Sequence, residues 1–354
     1  MSQRRSATAL LVLAVLAGGA ACGGGDGWKP PAKGQAAVLF RNAGNGLDPS
    51  HDISPLGALY LADDGTLAVY DGFVYTVSPG REVTKWWQPD VARDGAGGLV
   101  ALPDHSVAVG AYGRVYRRDA KGRTTPLAGV VRKGATRHQP VPASADAAAY
   151  HFYGVATPFG IRPDGALLVS DAEAVWALKD GTLTRLYVYP HNGTDKPGRL
   201  PADYAITSNT VDGAGNAYVG TGNDDGGVGG PTLDEIRVVH PDGTSAPLAV
   251  PARAPGIAPP LSGLKALSMA GGDGESVYVN TRHDNDQYLL RISGGGGVTV
   301  LAHHLVADDS EIDCKNHQPM QAREISCALP ETITYRNGRL VMGGHVHYFL
   351  ELAV

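Results

Sequence analysis

Apolar and polar positions alternate along this chain in short runs, and most runs stop at a glycine or an Asp-Gly pair. Between residues 159 and 189 the runs FGIRP, ALLVSD, AVWALK and TLTRLYVY follow one another. Asp164-Gly165, Ala172-Glu173 and Asp180-Gly181 separate them. A period of two is the signature of a half-buried strand. Asp-Gly between such runs supplies the positive φ that tight hairpin turns require. The stretch therefore predicts one four-stranded antiparallel unit.

The same order recurs. ALYLA, TLAVY, FVYTV and REVTKWW make a first copy, and GLVALP, SVAVG, RVYRR and RTTPLAG a second. The stretch above is the third. NTVDG, AYVGT, EIRVVH and TSAPLAV form a fourth, and KALSMA, SVYVN, YLLRI and VTVLAHH a fifth. The last copy has only TITYR, RLVMG and HYFLEL, while QAAVLFRN, residues 35–42, has no partner of its own. The reading is all-β: a six-bladed β-propeller over residues 35–354, closed by the N-terminal strand completing the last blade. Closure leaves few exposed sheet edges. A seven-bladed ring or a β-sandwich is the alternative, and the regular strand-turn order argues against a Greek key.

Composition fits many short strands joined by turns, with 48 Gly and 24 Pro in 354 residues. The net charge of −5 is mild and spread out. No basic block or aromatic-basic stripe suggests a nucleic-acid partner. Arg4-Arg5 followed by the apolar run Ala7–Ala21 reads as a signal peptide, residues 1–21. Gly19-Ala20-Ala21-Cys22 resembles a lipoprotein signal box, although Gly19 stands where Leu is usual. The expectation is lipidation of Cys22, a flexible tether over residues 22–34, and a place on the outer face of the bacterial cytoplasmic membrane. Without lipidation the chain would be secreted. In an oxidising compartment Cys314 and Cys327 are expected to form a disulfide.

Leu127-Ala128-Gly129, Pro158-Phe159-Gly160-Ile161, Asp164-Gly165 and Ser170-Asp171 occur in the order typical of NHL repeats. Residues 125–184 resemble that family, and the other copies follow it more loosely. The resemblance implies a propeller. Similar exported propellers include sensor domains of bacterial Ser/Thr kinases, and the same broad architecture carries lactonases and lyases. The motif itself specifies a fold and no chemistry.

In such a ring the first-to-second and third-to-fourth turns share one face, and here all of them are short. The long segments Val130–Thr157, Pro190–Ser208, Gly222–Leu233, Val250–Gly263 and Val306–Pro330 would share the other, which marks that face as a binding rim. Phe159, Asn209, Lys265 and Glu331 enter the innermost strands and are the candidate channel-mouth residues. Gluconolactonase-like propellers hold a metal at such a mouth through Glu, Asn and Asp. Glu331 and Asn209 match two of these, and Lys265 is a poor neighbour for a cation. His283, His345 and His347 form an alternative zinc set. The acidic groups Asp224-Asp225, Asp284/Asp286 and Asp308-Asp309/Asp313 lack calcium-loop spacing. No cofactor is predicted. The preferred reading is a non-catalytic module binding a cell-envelope protein or a small ligand, with membrane contact through the lipid alone. A metal-dependent lyase or lactonase is the alternative.

Overall fold

The computed structural model describes residues 29–41, 58–62, 64–70, 74–80, 83–87, 98–119, 121–131, 141–171, 173–189, 209–220, 230–305, 319–325, 327–344 and 348–354. Strand β1 is Gln35–Arg41. Strands β2–β5 are Ala58–Leu61, Leu67–Tyr70, Val74–Val77 and Val83–Trp87. Strands β6–β9 are Leu99–Ala101, Val107–Tyr112, Arg114–Arg118 and Thr124–Ala128. Strand β10 is Ser144–Asp146, and β11–β14 are Val155–Ile161, Leu167–Ser170, Ala174–Lys179 and Thr182–Val188. Strands β15–β18 are Thr210–Val211, Ala217–Gly220, Ile236–Val239 and Ser245–Pro247. Strands β19–β22 are Lys265–Gly271, Ser276–His283, Asp286–Ser293 and Val298–Leu305. Strand β23 is Met320–Gln321, and β24–β26 are Thr332–Arg336, Arg339–Gly343 and Tyr348–Ala353.

The strands form an all-β, propeller-like arrangement of antiparallel meanders. β2–β5, β15–β18 and β19–β22 are separate four-stranded sheets. β6–β9 and β11–β14 are fused into one larger sheet, where expectation had two separate units. The reason is local. β11 starts early, and its first residues Val155 and Ala156 pair with Tyr112 and Ala111 of β7. β1 pairs with β26 over most of its length, so the N-terminal run joins the last meander. Turn chemistry explains the hairpins: both residues of Asp180-Gly181 and of Asn337-Gly338 have positive φ.

The first strand of each meander touches the first strand of the next. β2 lies against β6, β6 against β11, β11 against β15, β15 against β19, β19 against β24, and β24 against β2. A separate apolar cluster fills each junction. Val74, Leu99 and Val109 fill the first, and Val100, Val169 and Trp176 the second. Leu168, Val175 and Val219 follow, then Leu233, Val279 and Leu290. Val38, Leu289 and Leu350 pack the next, and Leu39, Val69 and Phe349 the last. Strand side chains alternate between faces, so each sheet feeds two junctions. β1 does so with adjacent residues, Val38 and Leu39.

Parts of the long segments serve the scaffold. β10 pairs with the outer strand β14, and β23 pairs with β1. Each covers a sheet edge that would otherwise present unpaired amides. Within Val250–Gly263, Ile257 and Leu261 are buried in a junction cluster, so that segment is partly core. Residues 190–208 and 221–229 lie outside the described residues. Among the described residues, no helix is long and apolar enough to cross a membrane.

Candidate functional site

Strands β2, β6, β11, β15, β19 and β24 surround a central cavity of about 760 Å³. Thr157 and Asn209, near the starts of β11 and β15, are among the lining residues. So are the turns that follow the strands, including Asp64, Arg162 and Asp273.

Hydroxyls on these strands stitch one meander to the next. Leu61 N–H donates to Thr334 Oγ1 at 3.3 Å. Gly271 N–H donates to Thr210 Oγ1 at 2.7 Å. The Ser268 hydroxyl donates to the Glu331 carbonyl. Thr157, on β11, breaks this pattern. It is 1% exposed, and its Oγ1 has no hydrogen-bond partner among the described residues. Asn209, just before β15, is 9% exposed. Its Nδ2 donates to Ser170 Oγ at 3.0 Å and to Tyr189 OH at 3.2 Å. Its Oδ1 has no partner among the described residues. An unpaired buried polar group costs about 1–3 kcal/mol, and both of these residues belong to the lining of one cavity.

Packing fixes Thr157 in place. A Cβ on Gly98 would lie 2.0 Å from the Pro158 carbonyl oxygen and 3.0 Å from Thr157 Cγ2. Only glycine lets β6 approach so closely, and its φ of +66° suits glycine as well.

At the turn end of the cavity, several charges are paired within the protein. Arg162 lies 3.4 Å from the Asp164 carboxylate and also donates to the Pro241 carbonyl, while its Nε is buried with no partner among the described residues. Asp212 accepts from Ala214 N, Asn216 N, Asn216 Nδ2 and Tyr218 OH at 2.9–3.0 Å. Tyr335 OH donates to Asp273 at 2.5 Å.

Asp171, next to Ser170, is buried. Its Oδ1 accepts from Glu173 N and Ala174 N, and its Oδ2 from Tyr153 N. Burial outweighs these bonds and pushes its carboxyl up to about 6. The Ser-Asp match of the repeat therefore shapes the turn after β12. The folded state keeps the Asp171 proton to about pH 6, whereas the unfolded chain releases it near 3.8. Stability should therefore fall as pH rises from about 4 to 6, by roughly 2–3 kcal/mol from this group. Urea unfolding across that range should show the slope in the wild type, and Asp171→Asn should flatten it. An unchanged slope in the variant would exclude this origin.

The structure brings together only part of the set expected from sequence. Phe159 and Asn209 line the cavity. Lys265 is exposed at the start of β19 and does not line it. The Glu331 side chain is also absent from the lining, and its backbone carbonyl accepts from Ser268 and Asn280. His283 ends β20 beside Asp284, away from the cavity. His345, His347, Cys22 and Cys314 lie outside the described residues. Cys327 is buried. Among the described residues, no group of three or more His, Cys, Asp or Glu side chains is placed to hold a metal. Sequence reasoning missed Thr157, Ser170 and Tyr189. Thr157 precedes PFGI as an ordinary β-branched strand residue, and no spacing marks it.

No family model matches the sequence, and no curated protein does. Solved structures share the fold at low identity. An auxiliary nutrient binding protein from Bacteroides ovatus matches with TM-score 0.52 and 11% identity, over 92% of this chain and 72% of that one. A gluconolactonase from Xanthomonas campestris gives 0.49 and 13%, over 92% and 97%. A catalytically inactive virginiamycin B lyase from Staphylococcus aureus gives 0.47 and 10%, over 84% and 80%. At such identities the likeness concerns the fold alone.

Proposed function

We propose that this chain is a six-bladed, NHL-like propeller that binds a small ligand in its axial cavity without converting it. In this reading the larger fused sheet counts as two blades, β6–β9 and β11–β14. The cycle of first-strand contacts and the apolar cluster at each junction support that count. The signal-like start supports display on the outer face of a bacterial cytoplasmic membrane through a lipid on Cys22. Cys327 is held in a disulfide, which supports its pairing with Cys314.

One observation carries the binding reading: three residues that line the same cavity, Thr157, Asn209 and Arg162, each hold a buried polar atom (Oγ1, Oδ1 and Nε) with no partner among the described residues. The cavity volume lies in the range of small-ligand sites, roughly 300–1,000 Å³. Among the described residues, four large apolar residues are exposed: Tyr112, Val131, Val188 and Leu305. All stand at or just beyond strand ends that run toward the long-segment face, the end where Thr157 and Asn209 lie. That grouping supports entry from this face.

The test is a thermal-shift screen of the full chain against a small-molecule library. Each hit is repeated on Thr157→Val and Asn209→Leu and followed by mass spectrometry for turnover. The expected hit raises Tm by several degrees in the wild type, loses most of that shift in both variants, and is recovered unchanged. A hit consumed by the protein would replace this reading with the lyase or lactonase one. A shift that both variants retain would move the site elsewhere.

A further inference from the structure

Resting on the membrane display proposed above, and not on the cavity ligand, we infer that the outer strands of the second meander, β6–β9, form a basic surface that seats this chain against anionic phospholipid headgroups. Arg114, Arg117 and Arg118 lie on β8, and Lys121 and Arg123 on the turn into β9. Over residues 98–131 these five cations stand against two carboxylates, Asp104 and Asp119, in a chain whose net charge is −5. They form no long basic run in sequence. The hairpin gathers them, with Arg118 opposite Thr124 and Arg117 opposite Thr125. Asp104 pairs with Arg117, and Asp119 with Arg123 at 3.2 Å. Arg114 donates to Tyr116 OH at 3.2 Å and Arg118 to Thr124 Oγ1 at 3.3 Å, both neutral acceptors. The surface therefore keeps an excess of positive charge.

Its shape narrows the partner. None of the five cations lines the central cavity. Cations on open strands and a turn suit a diffuse anionic surface better than one small anion. A tether over residues 22–34 spans at most about 45 Å, so a chain held by a lipid on Cys22 keeps this surface within reach of the bilayer. The strands of the meander run in order from β6, at the cavity, through β7 and β8 to β9. Contact through β8 and β9 thus places the bilayer across the meander from the cavity and adds a second membrane contact to the lipid.

Vesicle co-sedimentation tests this with the full chain carrying Cys22→Ser, which cannot receive a lipid. The probes are vesicles of pure phosphatidylcholine and vesicles with about 30% phosphatidylglycerol. Binding through the apolar N-terminal run is common to both. The expected result is binding at least about tenfold tighter to the anionic vesicles, a difference that about 0.5 M salt removes. Lys121→Gln with Arg123→Gln should weaken anionic binding about thirtyfold, or about fivefold for each cation. Lys179→Gln with Arg291→Gln removes the same charge from other meanders and should change it by less than about threefold. All four side chains are exposed, and unchanged circular dichroism and Tm serve as the folding control. Equal binding to the two vesicles, or an equal loss in the two double variants, would overturn the inference. So would binding to soluble polyglutamate without binding to vesicles, which would point to an acidic protein partner. Detergent partitioning of the protein from its host reads the anchor separately. A chain without a lipid that still binds vesicles through Lys121 and Arg123 would retire the anchor and support this surface. A lipidated chain without that dependence would overturn the surface alone.

Discussion

Val38→Asp should abolish the cooperative folding of this protein, or lower its stability by at least about 4 kcal/mol. Val38 is fully buried in β1, among Tyr348, Leu350, Leu352 and residues of the preceding meander. Its neighbour Leu39 packs in the junction on the other side, with Leu61, Val69 and Tyr75. A carboxylate at Val38 has no partner there, and burying an unpaired charge is among the most costly single changes. It would also break the strand that ties the N-terminal run to the last meander through β26. Lys33→Glu, on the exposed stretch before β1, is the matched control and should change stability by less than about 0.5 kcal/mol. Urea unfolding followed by tryptophan fluorescence reads both. A Val38→Asp midpoint equal to wild type would mean that β1 does not close the ring.

The second large effect concerns an ion pair. Arg339 donates from Nε and Nη2 to the two oxygens of Glu351 at 2.9 and 2.8 Å. The Glu351 side chain is 3% exposed. Hydrogen bonding to Glu351 raises the Arg339 pKa further above its usual value. The turn of the first meander covers the pair, since a Cβ on Gly65 would lie 2.6 Å from Arg339 Nη1. Arg339→Met strands a buried carboxylate and should cost about 3–5 kcal/mol. Replacing both, as Arg339→Met with Glu351→Leu, should recover most of that loss, because an apolar pair of similar volume carries no desolvation penalty. A double-mutant cycle by urea unfolding gives the coupling. Strict additivity would show that the two residues act independently.

The strand order was legible because its signals are local. Alternation and the Asp-Gly and Asn-Gly turns fix each hairpin within a few residues, and the positive φ of Asp180-Gly181 and Asn337-Gly338 follows directly. The partner of residues 35–42 was legible by elimination, as the last copy lacked a strand. What alternation could not show was the joining of β7 to β11, which depends on how far Val155 and Ala156 extend past their own sheet. Of the residues expected at the channel mouth, Phe159 and Asn209 line the cavity. Placing Lys265 and Glu331 by their position at strand entry ignored where each side chain turns. Lys265 turns out to solvent, and Glu331 contributes its carbonyl to a hydroxyl stitch. Thr157 stayed hidden because its importance lies in a missing bond, and sequence records residues rather than unpaired atoms. Gly129 is the opposite case. The glycine of the LAG motif is required because a Cβ there would meet the Gly113 carbonyl oxygen at 2.2 Å, a need that spans two strands.

If the cavity is a binding site, a ligand sits in it against Thr157 and Asn209. The most direct measurement is a crystal structure of the full chain soaked with the tightest hit. Ligand density is expected in the cavity, within hydrogen-bond distance of Thr157 Oγ1 and of the Asn209 amide. Ligand density outside the cavity, with both groups paired to residues of the chain itself, would contradict it.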